Sequence, residues 1–461
     1  MKVQLAVIEG PHSGRSFQFD AHDTFIVGRG THSHFRLPSK DPYFSRTHFM
    51  IEVNPPLCRL FDMASTNGTF VNGRQVTEID LHHGDSISGG DTTIAVAIEG
   101  LPADAAVRGT LLETLPPRNL GLRQTLAVPM SSAGDGDPRR TQAEASRSDC
   151  GSDEARRTLV EGAPLSGSDR SSGQSPTSPP AQIGRYAVVR EIGRGGMGTV
   201  YLATDTDGSQ VAVKTIAPNV PACSNDVDLF LREATILQEL KHPNIVQFLE
   251  QGEQAGLLWF AMEYVAGQNA AALLREAGPL PTPRAVSIVC QLLAALEHAH
   301  RLQFVHRDVK PENVLVTTIE GKARVKLADF GLSRVYQAST MSGLTLHGQM
   351  GGSLAYMAPE QVTSYRDVHP ACDQYAAAAT LYRLLTGKYI HEFPQAFHER
   401  ILKILQGTPI PLRQRRPKTH PALAMAVDRA LARDPDKRFA SCEEFRQALL
   451  PFARTRPKPT R

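Results

Sequence analysis

The stretch HRDVKPEN, residues 306–313, decides how the C-terminal half of the chain is interpreted. It combines a carboxylate at Asp308, an ammonium group at Lys310 and an amide at Asn313. Asp308 can accept the proton of a hydroxyl group, and Lys310 can offset negative charge that develops on a phosphate. Asn313 and the later Asp329 offer the oxygen ligands that Mg²⁺ prefers. These residue types at this spacing suit the handling of phosphate groups.

A glycine-rich stretch upstream, GRGGMGTV at residues 193–200, fits the same chemistry. Glycine lets the backbone turn closely over phosphates and present N–H groups to them. Alone, the G-x-G-x-x-G pattern also fits a hairpin turn or the start of a dinucleotide-binding unit. That unit needs a helix directly after the glycines, whereas here a second strand follows and contains Lys214. A lysine among apolar strand residues is costly unless it is paired, and Glu233 is the candidate partner.

The hydrophobic periodicity changes along this C-terminal segment. Residues 185–204 are strand-like, whereas residues 285–302 and 371–387 have helical spacing. Strands followed mostly by helices predict a small β-rich lobe joined to a larger α-rich lobe.

With Asp329-Phe330-Gly331 and Ala358-Pro359-Glu360 in the same order, the segment resembles the eukaryotic-type serine/threonine protein kinase family over roughly residues 186–450. The resemblance implies a two-lobed α+β fold that transfers the γ-phosphoryl group of ATP to protein hydroxyls, with Mg²⁺ or Mn²⁺ as the metal. The catalytic residues it implies are Asp308, Lys310, Lys214 and Glu233. The metal ligands it implies are Asn313 and Asp329. The ATP site it implies consists of those two ligands with Ile192, Gly193, Gly195, Gly196, Gly198, Val200, Lys214, Glu263 and Val265.

The same resemblance assigns supporting roles. Met262 stands at the gatekeeper position before the hinge, and Glu360 is expected to pair with Arg438. Ser353 stands where the family usually has threonine, and it retains the hydroxyl group. The expected autophosphorylation sites in the activation loop are Thr340, Ser342 and Thr345. The alternative to an active enzyme is a pseudokinase that serves as a scaffold or phosphopeptide adaptor.

The first 98 residues predict an all-β sandwich, because short apolar runs such as VQLAVIEG alternate with turn sequences such as PHSG and VNGR. On this background stand Val27-Gly28-Arg29, Ser45-Arg46-Thr47-His48, Ser65-Thr66-Asn67-Gly68-Thr69 and Val71-Asn72-Gly73. Together these elements resemble the forkhead-associated (FHA) domain, a β-sandwich whose loops bind phosphothreonine peptides. The residues that the resemblance implies for peptide binding are Arg29, Ser45, Arg46, Thr66 and Asn67.

Residues 99–183 predict a flexible linker, because Ser, Gly, Asp, Arg and Pro dominate and few large apolar residues occur. The pattern Arg-x-Thr-Leu occurs there three times, at Thr110, Thr125 and Thr158. One hypothesis is that the kinase phosphorylates these threonines and the FHA domain docks on the product. Docking in the same chain would fold it back, and docking in a neighbouring chain would give self-association. The alternative is that the repeats reflect composition and that the FHA domain binds other proteins.

The bulk composition sets the remaining limits. A chain of 461 residues that is 41% apolar predicts two or three domains. The net charge of +3 gives no case for nucleic acid. Six scattered cysteines without a C-x-x-C pair suggest neither a zinc site nor disulfides, which fits a cytoplasmic location. The apolar runs are too short to predict a signal peptide or a transmembrane helix, so we expect no membrane partner. The predicted order is an FHA domain at 1–98, a linker at 99–183, a kinase domain at 184–452 and a basic tail at 453–461.

Overall fold

The computed structural model describes residues 2–20, 23–38, 43–54, 57–99, 180–195, 198–216, 236–254, 257–319, 322–330, 353–363 and 368–454. Met1–Pro102 and Pro179–Arg461 form one compact unit. The second unit, Ala103–Ser178, lies outside the described residues. Among the helices in the described ranges, none has the length and hydrophobicity needed to cross a membrane. The cytoplasmic location stays a prediction.

The N-terminal region is a sandwich of two sheets, as the turn and strand pattern predicts. Its strands are β1 (Lys2–Glu9), β2 (Ser16–Phe19), β3 (Asp23–Gly28), β4 (Phe35–Arg36), β5 (Phe49–Asn54), β6 (Leu57–Asp62), β7 (Thr69–Val71), β8 (Arg74–Val76), β9 (Glu78–Asp80), β10 (Ser86–Gly89) and β11 (Thr92–Glu99). One sheet has the order β2-β1-β11-β10-β7-β8, and the other has the order β4-β3-β5-β6-β9.

Strict alternation in β1 and β11 explains how the sandwich closes. Val3, Leu5 and Val7 are buried, while the residues between them face outward. Leu5 stands opposite Val96 of β11 in the antiparallel register, so both strands present apolar side chains to the same core. The five-stranded sheet contributes Phe25 and other residues to that core. The position of the loops at the sandwich edge therefore depends on ordinary two-sheet packing.

The small lobe of the C-terminal region is an antiparallel sheet in the order β12-β13-β14-β15-β17-β16. Its strands are β12 (Gln182–Ile183), β13 (Tyr186–Gly195), β14 (Gly198–Thr204), β15 (Gln210–Ile216), β16 (Phe248–Gln254) and β17 (Leu257–Glu263). The strand β12 lies in the last residues of the segment predicted as linker. Gly198 has φ +132°, and a Cβ there would lie 1.8 Å from the carbonyl oxygen of Thr215. Only glycine fits where the hairpin crosses β15 this closely.

The large lobe is helical, with one three-stranded sheet of β18 (Gln268–Asn269), β19 (Val314–Ile319) and β20 (Lys322–Leu327). Its α-helices are α1 (Ala270–Ala277), α2 (Thr282–Arg301), α3 (Pro359–Thr363), α4 (Ala371–Thr386), α5 (Phe397–Gln406), α6 (Leu412–Arg415), α7 (Pro421–Ala430) and α8 (Cys442–Leu449). The 3₁₀ turns of the described chain are Ile236–Glu239, Pro311–Asn313, Ser353–Tyr356, Pro435–Lys437 and Leu450–Phe452. The predicted two-lobed α+β architecture is confirmed.

A buried ion pair ties the start of α3 to the segment before α8. The guanidinium of Arg438 donates to both carboxylate oxygens of Glu360, at 2.6 Å and 2.9 Å. The side chain of Arg438 is fully buried, and it also donates to the carbonyls of Ala371 and Ala432. The pairing expected from the sequence is thus present, and it satisfies donors that would be costly to bury alone.

We predict that Arg438→Met lowers the free energy of unfolding of the large lobe by about 3 kcal/mol, because Glu360 loses its buried partner. The matched control is Arg446→Met, which breaks the more exposed pair with Glu443 and should cost less than about 1 kcal/mol. Urea unfolding followed by fluorescence measures both changes. Equal losses in the two variants would contradict the structural role of the buried pair.

Candidate functional site

A buried carboxylate in α4, Asp373, holds the loop that follows α2. Asp373 is 1% exposed and accepts hydrogen bonds from the backbone N–H groups of His306 and Arg307, both at 2.8 Å. The Nε2 atom of His300 lies 2.8 Å from the same carboxylate. Burial opposes ionisation, but the hydrogen bond with His300 and the nearby imidazole of His306 hold the pKa of Asp373 below its usual value. A fixed anion therefore determines where this loop begins.

The backbone of the loop is strained at the residue that Asp373 holds. Arg307 has φ +69°, a left-handed conformation that costs a residue with a Cβ about 1–2 kcal/mol. Its amide hydrogen bond to Asp373 offsets part of that cost. Asp308 directly follows this strained turn, so the turn helps to set the direction of its side chain.

The side chain of Asp308 lies at the centre of a hydrogen-bonded cluster. Lys310 Nζ donates to Asp308 Oδ2 at 2.8 Å and to Ser353 Oγ at 2.7 Å. Asn313 Nδ2 donates to the backbone carbonyl of Asp308 at 2.8 Å and to Oδ2 at 3.2 Å. The serine that replaces the usual threonine thus makes the contact that its hydroxyl allows. A carboxylate, an ammonium group and an amide group converge here.

A second charged pair connects the two lobes. Lys214 of β15 is 6% exposed, and its Nζ donates to Oδ1 of Asp329 at 2.9 Å. Burial raises the pKa of Asp329, but the charge and hydrogen bond of Lys214, together with the charges of Lys310 and His306, lower it by more, and the net pKa lies below the usual value. Asp329 has φ +60°, so it also occupies a turn that the surrounding structure must hold. The predicted partner Glu233 lies outside the described residues.

The glycine-rich hairpin and the strand that ends at the hinge belong to the same sheet as the strand of Lys214. Gly195 stands opposite Gly198 in the register of β13 and β14, and Gly196 lies outside the described residues. Met262 lines a small cavity of about 30 Å³ that reaches Asp329 and Phe330. The predicted gatekeeper thus lies between the hinge and the Asp-Phe segment.

Five other residues predicted for the nucleotide site lie on the same strands or next to them. Gly193 lies in β13 opposite Val200 of β14, and a Cβ on Gly193 would meet no heavy atom within 4 Å. Ile192, also in β13, is 37% exposed. Glu263 ends β17 and accepts a hydrogen bond from Lys326 Nζ at 2.7 Å, and the half-buried Val265 follows β17.

The loops at one edge of the N-terminal sandwich bring a second set of polar groups together. Ser45 Oγ lies 3.2 Å from Thr66 Oγ1 and accepts the backbone N–H of Thr66 at 3.0 Å. The amide of Asn67 donates to the carbonyl of Tyr43 at 2.8 Å. Arg29 joins this edge because its backbone N–H donates to the carbonyl of Ser45 at 3.1 Å. Hydroxyl and guanidinium donors on one exposed edge suit a phosphate dianion.

Close backbone contact explains why glycines flank Arg29. A Cβ on Gly28 would lie 2.5 Å from the carbonyl oxygen of Arg46, and one on Gly30 would lie 2.6 Å from it. The buried His48 connects two of these loops. Its Nδ1 accepts the N–H of Ser45 at 3.1 Å, and its Nε2 lies 3.1 Å from the carbonyl of Gly68.

Sequence reasoning missed two acidic residues that hold these sites. One is Asp373; the other is Asp62, which accepts hydrogen bonds from the N–H of Ser65 at 3.0 Å and from Thr69 Oγ1 at 2.7 Å. Both acids follow apolar residues, in CRLFD and ACD. An acidic residue directly after apolar residues indicates a carboxylate that accepts hydrogen bonds from buried donors. The predicted phosphorylation sites Thr110, Thr125, Thr158, Thr340, Ser342 and Thr345 lie outside the described residues.

Comparisons with known proteins match both regions. The family model described as "Protein kinase domain" matches residues 186–450, and the one described as "FHA domain" matches residues 25–90. The serine/threonine-protein kinase PknF of Mycobacterium tuberculosis is 36% identical over 270 residues, which are 57% of this chain and 55% of PknF. The serine/threonine-protein kinase pkn3 of Myxococcus xanthus is 37% identical over 272 residues, 58% of this chain and 49% of pkn3. The chain spans about half the length of these curated relatives.

Among solved structures, the kinase domain of PknI from Mycobacterium tuberculosis is similar to this chain at 32% sequence identity. The match covers 59% of this chain and 98% of that domain, with a TM-score of 0.47.

We predict that Asp373→Asn accelerates amide hydrogen exchange at His306 and Arg307 by roughly tenfold or more. Their N–H groups donate to different carboxylate oxygens, and asparagine replaces one of those oxygens with an NH2 group that cannot accept a hydrogen bond. Hydrogen exchange with peptide-level mass spectrometry measures this change. Asp434→Asn is the control, since Asp434 caps the separate turn at Pro435–Lys437. Unchanged exchange at residues 306 and 307 in Asp373→Asn would show that the carboxylate does not hold the loop.

Proposed function

Because the chain belongs to the protein kinase family, we propose that it transfers the γ-phosphoryl group of ATP to serine and threonine hydroxyls of proteins, and that its FHA domain binds phosphothreonine peptides. The cluster around Asp308 carries the first part of the proposal. It presents a carboxylate, a lysine and an amide within hydrogen-bond distance of one another, next to Ser353 of the segment after the activation loop. The proposed domain boundaries remain 1–98, 99–183, 184–452 and 453–461.

The residues of the cluster have distinct tasks in the transfer. The substrate hydroxyl oxygen bonds to the γ-phosphorus, the bond from that phosphorus to the bridging oxygen breaks, and ADP leaves. Asp308 accepts the hydroxyl proton, and Lys310 donates to the oxygens of the group in transit. Lys214 binds the α- and β-phosphates, which compete with Asp329 for its ammonium group. Glu233 remains the proposed partner of Lys214.

The donor set fits Mg²⁺. Asn313 uses its amide nitrogen for Asp308, which makes its oxygen the atom for a metal. Asp329 has a lowered pKa and is therefore ionised at neutral pH. Two hard oxygen ligands of this kind would hold Mg²⁺, which when bound neutralises phosphate charge.

The proposed nucleotide site consists of the glycine-rich hairpin and the residues at the hinge. The glycine-rich hairpin covers the phosphates with backbone N–H groups. Apolar and hinge residues then hold the base: Ile192, Val200, Glu263 and Val265. The proposed phosphate-covering glycines are Gly193, Gly195, Gly196 and Gly198.

The FHA part of the proposal is supported by the edge formed by Arg29, Ser45 and Thr66. Their donors would bind the phosphate, with Arg46 beside them, while Asn67 would bind the peptide backbone. The three linker threonines Thr110, Thr125 and Thr158 are proposed substrates of the kinase and ligands of this edge. That arrangement would permit docking within one chain or between two.

We predict that Asp308→Asn lowers kcat for phosphate transfer to a generic protein substrate by about 10³-fold, since the general base is lost. The Kd for ATP should change less than about twofold. Asp207→Asn, on an exposed hairpin of the small lobe, is the control with unchanged kcat. Wild-type protein that binds ATP without transferring phosphate would overturn the proposal in favour of the pseudokinase scaffold.

A further inference from the structure

The five-stranded sheet of the sandwich is apolar on both faces. Ile26, Met50 and Phe61 are at most 2% exposed, yet they point away from the sandwich core, where Phe25 and Ile51 lie. They are buried instead among large-lobe residues, which include Leu354, Met357, Val362, Ile401 and Ile404. A two-sheet sandwich alone leaves such a face in water. The large lobe therefore covers the second face.

Specific contacts fix this docking. The ring of Phe61 lies 5.3 Å from that of Phe397 in α5, centroid to centroid. Thr24 Oγ1 donates to the carbonyl of Val362 in α3 at 2.8 Å, in a buried position. The sandwich thus packs on α3 and α5, beside the segment whose Ser353 binds Lys310.

A cavity of about 460 Å³ lies at the border of this contact and is lined from both sides. The sandwich contributes three arginines to its lining, and the large lobe contributes Gln406 and a fourth arginine, Arg433. The sandwich arginines are Arg29, Arg36 and Arg46. None of the described residues that line the cavity is acidic.

Arg433 is held at the cavity by a backbone carbonyl and an imidazole ring. It donates through Nη2 to the carbonyl of Leu405 and to Nε2 of His32, which lies 3.2 Å away. Its buried Nε has no hydrogen-bond acceptor among the described residues. Gln406 donates to Thr47 Oγ1 at 3.2 Å, which connects the two sides again. Four guanidinium groups, with no carboxylate among the described lining residues, favour an anionic ligand.

We infer that this cavity is a shared anion subsite, in which Arg433 of the kinase lobe extends the peptide site of the FHA domain. Its ligand is a phosphothreonine peptide with carboxylates flanking the phosphothreonine: the phosphate binds at Arg29, Ser45 and Thr66, and the carboxylates bind in the cavity. The inference rests on the proposed peptide binding by the FHA domain. The chain contains such a segment, since Thr158 is flanked by Asp153, Glu154 and Glu161.

The test is a two-by-two comparison of Arg433→Gln with the charge of the peptide. The first probe is a fluorescent peptide of residues 152–164 phosphorylated at Thr158, and the second is the same peptide with D153N, E154Q and E161Q. Fluorescence anisotropy with the full chain, without ATP, measures both affinities. We expect Arg433→Gln to weaken binding of the acidic peptide about fivefold. The affinity for the peptide with D153N, E154Q and E161Q should not change.

This design separates charge recognition from damage to the fold. Glutamine keeps a donor for the carbonyl of Leu405. A structural defect would weaken the binding of both peptides equally, and that result would overturn the inference. Arg413→Gln, in α6 and outside the cavity lining, controls for net charge, and an equal effect from it would also overturn the inference. Arg29→Ala should abolish binding of both peptides. If the wild-type chain bound neither peptide, the proposed FHA function itself would fail; if it bound both with equal affinity, only the shared subsite would fail.

Discussion

The buried carboxylate of Asp373 is the constraint on which the geometry of the Asp308 cluster depends. It is anchored in α4, a helix surrounded by the large-lobe core, and it holds two consecutive backbone N–H groups of the loop after α2. That loop contains a left-handed arginine, which is unfavourable without such support. Asp308, which bonds to Lys310 and Asn313, directly follows the two residues that Asp373 holds. A helix of the core, rather than the loop itself, thus positions the backbone that precedes Asp308.

In the sandwich, close backbone contacts position the loops at the edge that contains Arg29. Glycines at 28 and 30 let the Arg29 loop approach the carbonyl of Arg46, and Asp62 and His48 hold the neighbouring turns. The second apolar face of the sandwich then docks on the large lobe beside the segment that bears Ser353. The proposed phosphate-binding edge and the segment that contacts Lys310 therefore belong to one compact unit. A ligand in the cavity at their border would contact the sandwich and Arg433 of the large lobe.

The ordered motifs made the two folds predictable from sequence. Asp308, Lys310 and Asn313 are close in sequence, so their clustering follows from one short loop. Asp373 was not predicted, because a hydrogen bond to a backbone N–H leaves no trace in the residues that donate it. The docking face was not predicted either: TFIV in β3 looks like an ordinary buried strand, and only the tertiary structure shows that its two faces meet different partners. Such long-range contacts depend on packing that no local pattern encodes.

The central claim is that one chain both makes and reads phosphothreonine. Mass-spectrometric mapping of the purified full chain after incubation with Mg-ATP tests it most directly. The account predicts phosphate on serine and threonine hydroxyls, with at least one of Thr110, Thr125 and Thr158 among them. A chain that binds ATP yet has no phosphate on any residue would contradict it.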